Sequence, residues 1–233
     1  MKKIFQYVTV LALSVAGMSC KKDNYKEPSS TLSGRLIYKG EAIGLENYQV
    51  PYQLYQFGFG KVGAIDGTFN QEGAYSSLLF DGDYKLIIPN GQGPFRWKQL
   101  ASGAPDSIAV TVRGSQTLDL EITPYYMIRT PQVTGGGGKV TAVFKVEKII
   151  TDPVLAKNIE RVNLYINKTQ FVSSFNNIAQ TQINGSAIAD PNNISMNVTV
   201  PGIAPQTYVF ARIALKIAGV EDQIFSPVQK VNF

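Results

Sequence analysis

The chain has 233 residues, a formal charge of +5 and no histidine, so the commonest general base and metal ligand is missing. Ser-His-Asp hydrolysis and Cys-His zinc sites are excluded by this inventory, and no run of like charge suggests a nucleic-acid groove. Abundant Gly, Thr, Ser and Asn, with 12 Tyr and 12 Phe and no heptad pattern, give an all-β composition.

The N-terminus reads as an export signal. Lys2 and Lys3 precede an apolar run from Ile4 to Val15, which is followed by small residues up to Cys20, the single cysteine. A run of this length falls short of the roughly 20 helical residues that span a bilayer. The layout is that of a bacterial lipoprotein precursor, with residues 1–19 removed and Cys20 carrying the lipid. Three acyl chains exceed the two signals that stable anchoring requires. Gly17 stands where Leu or Val is usual, so the alternative is a secretory signal cut elsewhere, with Cys20 left as an ordinary thiol. Residues 20–30 are polar and contain Pro28, and they read as a flexible tether.

From Leu32 onward the hydrophobic pattern alternates with period two, as strands with one buried face do. Leu32, Leu36 and Tyr38 share a face, followed by Tyr84, Leu86 and Ile88, then Ile108, Val110 and Val112, then Leu118, Leu120 and Ile122. Turn signals separate them at Lys39-Gly40, Asp66-Gly67, Glu72-Gly73, Asp81-Gly82 and Arg113-Gly114. The second half repeats the pattern through Val140–Val146, Val162–Ile166, Ile194–Val200 and Val209–Ile217, with further strands over Tyr125–Val133 and Ile224–Val231. The expected architecture is two β-sandwiches, over 31–123 and 124–233, divided near Thr123-Pro124 because proline cannot continue a ladder.

The segment Asp66–Leu86 carries a recognisable pattern. An aromatic strand after a glycine turn, then Phe80-Asp81-Gly82-Asp83-Tyr84-Lys85-Leu86, resembles the G-x-Y/F … x-x-G-x-Y-x-L signature of transthyretin-like and carboxypeptidase-regulatory-like sandwiches. With Ser33-Gly34-Arg35-Leu36 and Gly91-Gln92-Gly93-Pro94-Phe95, nearly all of the mature chain is similar to a family of two-domain Bacteroidetes lipoproteins of unknown function. The resemblance implies a transthyretin-like first domain, a second resembling fibronectin type III or immunoglobulin folds, and association with starch-utilisation-type uptake systems built on SusC/SusD-like outer-membrane complexes. It implies an outer-membrane location, on the cell surface in preference to the periplasmic face, although Lys22-Asp23 matches the expected acidic export signal only in part.

Aromatic rings amid polar neighbours suit glycan binding, because a flat ring covers the C–H face of a sugar. Trp97, the sole tryptophan, with Phe95 and Arg96, is one candidate group; Tyr52, Tyr55, Phe57 and Phe59 form another. The competing reading buries these rings in the sandwich ends or between the domains. Asp81-Gly82-Asp83 reads as a hairpin turn, not a calcium site. Asp66, Glu72, Asp106, Glu121, Asp152 and Glu160 show no spacing that marks a glycosidase pair. Gly135–Gly138 fails the phosphate-loop pattern and reads as a flexible loop. Asn167, Asn184, Asn193 and Asn197 begin sequons, relevant only in a host that glycosylates them. Asp106-Ser107-Ile108 resembles a short bacterial O-glycosylation motif, which makes Ser107 a candidate. No cofactor or metal is expected. The expected role is a non-catalytic accessory of polysaccharide utilisation that binds polysaccharide or oligosaccharide, and the alternative is a structural spacer or protein-docking module.

Overall fold

The computed structural model describes residues 26–58 and 63–233. The leader 1–19, the lipidation candidate Cys20, the tether up to residue 25 and Phe59 lie outside the described residues. The first half carries β1 (Ser30–Tyr38), β2 (Glu41–Ala42), β3 (Pro51–Gln56), β4 (Ala64–Thr68), β5 (Ala74–Leu79), β6 (Gly82–Ile87), β7 (Phe95–Arg96), β8 (Ile108–Val112), β9 (Ser115–Thr117), β10 (Leu120–Glu121) and β11 (Thr123–Pro124). The second carries β12 (Tyr126–Gly136), β13 (Lys139–Lys148), β14 (Ile159–Asn167), β15 (Ala179–Asn184), β16 (Ile194–Thr199), β17 (Tyr208–Ile217), β18 (Gln223–Phe225) and β19 (Gln229–Asn232). A 3₁₀ turn at Gly185–Ala187 is the one helical element among the described residues.

In the first sandwich β1 is the spine of one sheet, pairing with β5 and β2 antiparallel and with β9 and β10 parallel. The facing sheet runs β4-β3-β6-β8. The expected alternation places Leu32, Leu36, Tyr84, Leu86, Ile88, Val112, Leu120 and Ile122 in the core. The second sandwich packs β12-β13-β16 against β15-β14-β17, with β18 and β19 both paired to β17. Its core takes Val140, Ala142, Phe144, Val162, Leu164, Ile166, Ile194, Met196, Val198 and the inward face of β17. Buried side chains of both halves form one connected apolar cluster, with Phe95, Trp97, Ile122, Tyr125 and Tyr126 among its members.

Several local expectations are corrected. Ser30, assigned to the tether, opens β1 and is buried. Asp66-Gly67 is not a turn but lies inside β4, where a Cβ on Gly67 would come within 2.3 Å of the Tyr52 ring. Asp81-Gly82 turns the chain, but not as a hairpin, since β5 pairs in one sheet and β6 in the other. Asp81 accepts bonds there from the Ser30 hydroxyl and the Gly114 amide, so the corner is tied to the start of β1. Gly135–Gly138 is no loose loop: Gly135 and Gly136 end β12, and Gly137 and Gly138, both with positive φ, form the two-residue turn into β13. The 118–122 run and the 224–231 run are each split into shorter strands, the second around Pro227.

The largest departure concerns the outer face of the β14-β17 sheet. Alternation assigns Asn163, Tyr165, Asn167 and Arg212 to water, yet all four are buried. Two segments cover this face where Arg212 reaches the Leu45 and Val172 carbonyls and Asn167 those of Phe171 and Asn176. Tyr165, Val172, Ala214 and Phe225 form a second, smaller apolar cluster beneath that cover.

A polar cleft at the seam between the two sandwiches

The seam is built around Arg212, which is only 1% exposed. Its guanidinium donates to four carbonyls: Ser226 at 3.0 Å, Leu45 at 3.2 Å, Val172 at 3.4 Å and Gln71 at 3.0 Å. It also lies over the Phe225 ring, 4.4 Å from the centroid. Leu45 and Gln71 belong to the first sandwich, so one side chain of the second binds the first through its backbone. Desolvation pushes the Arg212 pKa down to about 10, against the opposing pull of Glu46 and Glu72, and the group stays charged at neutral pH. Beside it the Phe225 amide donates to Gly44 O at 2.9 Å. A Cβ at Gly44 would sit 2.5 Å from Phe225 O, so only glycine allows this approach.

Two further contacts cross the seam. Glu46 is buried and accepts from the Ser174 amide and hydroxyl at 3.1 and 2.8 Å. Asp222 accepts from the Gly93 amide at 2.8 Å, and burial raises its pKa while that bond lowers it. Arg129 adds a more exposed link by pairing with Glu41 and Glu147.

Next to this lock opens a cleft of about 650 Å³. Glu46 and Gln49 of the first sandwich line it together with outer residues of β14, β15 and β18, and Ser174, which bonds Glu46, and Phe175 line it as well. The lining is rich in amides: Asn163, Gln180, Gln182, Asn184 and Gln223. Asn163 donates to Gln180 Oε1 at 3.4 Å, and Gln223, like Asn163, is buried. The oxygens of these two amides, Asn163 Oδ1 and Gln223 Oε1, are buried acceptors with no partner; Gln71 Oε1 at the seam is a third. An unpaired buried acceptor costs about 1–3 kcal/mol. Phe175 is 82% exposed in the polar loop Ser173–Asn177, and its backbone is fixed by a bond to the Ser173 hydroxyl at 3.3 Å. Tyr48, between the cleft residues Glu46 and Gln49, is 63% exposed and held at φ 58°. That left-handed conformation is costly for a bulky residue.

The aromatic candidates from the sequence are largely redirected. Trp97 is 6% exposed and donates its ring N–H to Asp106 O at 2.7 Å; Phe95 is buried beside it. Tyr52 is buried, packed against Phe69 and Tyr75 at centroid distances of 5.1 and 5.0 Å, with its hydroxyl bonded to Ser77. None of these three rings can lie flat on a sugar. Phe95, Arg96, Trp97 and Tyr125 do line a narrow crevice of about 240 Å³. Its polar groups are already engaged, Arg96 donating to Gln99 and Gln99 to Asn90. Tyr55, half-buried, and Phe57, exposed, are on the outer face of β3 and just beyond it, with Lys85 over the Phe57 ring. Ser107 is half-buried at the start of β8, its amide bonded to Asp106 and its carbonyl to Lys98. Among the described residues no three His, Cys, Asp or Glu side chains group to hold a metal ion. No described helix is long and apolar enough to cross a membrane.

Sequence reasoning passed over Phe175 and Tyr48. The available signal was a large ring inside a polar loop, Ser173-Ser174-Phe175-Asn176-Asn177 and Glu46-Asn47-Tyr48-Gln49. The amides of β14 and β15 gave no such signal, since alternating polar residues are the ordinary outer face of a strand.

No curated protein matches the chain. A Parabacteroides merdae DUF3823 family crystal structure superposes with a TM-score of 0.77 at 31% identity, covering 89% of this chain and all of that one. A Bacteroides ovatus DUF3823 protein gives 0.76 at 28% identity, covering 88% of this chain and 99% of its own. A Bacteroides uniformis structure described as a "putative carbohydrate binding protein" gives 0.67 at 16% identity, covering 88% and 100%, a likeness of fold. Residues 30–123 match the profile of the protein of unknown function (DUF3823) N-terminal domain, and residues 126–230 match that of the domain of unknown function DUF3823_C. With both halves accounted for in sequence and in fold, the chain belongs to the DUF3823 family.

Proposed function

We propose that the seam cleft binds a hydroxyl-rich glycan without catalysis. The observation that carries this reading is the pair of buried, partnerless amide oxygens, Asn163 Oδ1 and Gln223 Oε1, on a cleft with exposed Phe175 at its side. Sugar hydroxyls supply donors for such acceptors, and an exposed ring supplies the apolar face. The carbohydrate-binding description of the B. uniformis relative agrees with this chemistry. In the same reading the protein is anchored through lipidated Cys20 to the outer membrane, facing the cell surface, and serves a polysaccharide-uptake complex of SusC/SusD-like components. Ser107 is its candidate for O-glycosylation.

The test uses the mature chain with Cys20→Ser, screened by retardation in gels containing plant, host and microbial polysaccharides. Retardation by at least one glycan, lost in Phe175→Ala and Gln223→Ala, is the expected result. Retardation by none moves the assignment to a spacer or docking module. Mass spectrometry of the membrane fraction tests the anchor, and an unmodified Cys20 thiol on soluble protein refutes it.

A further inference from the structure

Resting on the glycan-binding reading, we infer that the cleft selects uncharged glycans and rejects those carrying uronate or sulfate groups. Four carboxylates line it, Glu46, Glu160, Glu221 and Asp222, against two cations, Arg161 and Lys216. Arg161 is paired with Glu160, and Lys216 donates to the Glu221 carbonyl while keeping its charge. An anionic sugar therefore meets net negative charge, four carboxylates against two cations, in a concave site where screening is weaker than on a flat surface.

The hydrogen-bond inventory points the same way. The unsatisfied groups, Asn163 Oδ1 and Gln223 Oε1, are acceptors and call for O–H donors. A carboxylate or sulfate brings only acceptors, so wherever it replaces a hydroxyl facing one of these oxygens the donor is lost. The cleft's charge opposes that of the chain from Cys20 onward, which is +3 (the +5 of the full sequence less Lys2 and Lys3) and by itself would favour polyanions. Selection is thus local, and overall charge predicts the wrong ligand class.

The experiment measures binding of the Cys20→Ser mature chain to immobilised laminarin, galactomannan and xyloglucan on one side, and polygalacturonate, hyaluronan and chondroitin sulfate on the other, at 50 and 500 mM salt. The expected result is binding to a neutral glycan, with acidic glycans weaker by about tenfold or more at low salt, as one or two net charges at close range provide. Glu160→Gln, which frees Arg161, combined with Glu221→Gln should narrow that gap, with Phe175→Ala abolishing binding throughout. Acidic glycans held as tightly as neutral ones, or a gap unmoved in the double variant, overturn the charge selection while leaving glycan binding in place. Binding to none of the six overturns the reading beneath it as well.

Discussion

Replacing Arg212 with methionine tests whether the two sandwiches are locked as described. Methionine keeps most of the stem that packs on Phe225 but removes all four donors, leaving the carbonyls of Leu45, Gln71, Val172 and Ser226 to find other partners. Each stranded carbonyl costs about 1–3 kcal/mol where water cannot reach it. Against this, burial holds the native guanidinium down to about 10 despite Glu46 and Glu72, and removing it returns that net cost of about 3 kcal/mol. The balance, with some carbonyls rescued by water, is a loss of about 3–5 kcal/mol. For a chain of this size that lowers Tm by about 10 °C. Calorimetry measures the loss, and amide hydrogen exchange should show it concentrated at the Gly44–Glu46 and Val172–Ser174 segments. A Tm within about 2 °C of the parent, with exchange unchanged at both segments, would refute the claim that Arg212 holds the seam.

Trp97→Ala should behave as a core deletion, lowering stability by about 3–5 kcal/mol, whereas Phe175→Ala should change it by less than about 0.5 kcal/mol while abolishing glycan retardation; urea melts and affinity gels separate the two. Asp222 has a folded pKa above its unfolded value, so its ionisation costs stability as pH rises through that folded value, and the cost is absent below the unfolded one. Asp222→Asn, which can still accept from Gly93, should therefore match or exceed the parent Tm at pH 7, and Asp222→Ala should fall below it. Asp81 has the opposite sign: the Ser30 hydroxyl, then the Gly114 amide, lower its pKa, so its contribution is present above 3.8 and is lost as pH falls through the folded value. Acid titrations of Asp81→Ala followed by circular dichroism should show a shallower loss of stability on the acid side than in the parent.

Alternation along single strands carried most of the architecture. Val162, Leu164 and Ile166, or Val209 to Ile217, announce a buried face because side chains project alternately from a pleated strand, and every one of them is in the core. The Lys39-Gly40 turn was equally legible from its glycine, since φ is positive at Gly40, while Lys39 takes the same left-handed region without being a residue that favours it. Turn chemistry misled where sequence alone cannot see the neighbour: Gly67 is glycine because the Tyr52 ring lies against it, not because the chain reverses there.

The candidate site was much less visible. Tyr55 and Phe57, two residues apart on an outward face, remain at the surface, while Tyr52, Phe95 and Trp97 go inside. A ring's exposure depends on what packs over it, and periodicity describes only its own strand. The sequence by itself determined the strands, the two sandwiches and the exclusion of histidine chemistry, because these follow from side-chain inventory and from the period of the pleat. Only the tertiary structure decided that the outer face of β14 and β17 is covered, that Arg212 spends its donors on the other sandwich, and that amides spread from Asn163 to Gln223 share one cleft. Those outcomes depend on contacts between distant segments, Leu45 and Arg212 being 167 residues apart, and no local pattern records such a distance.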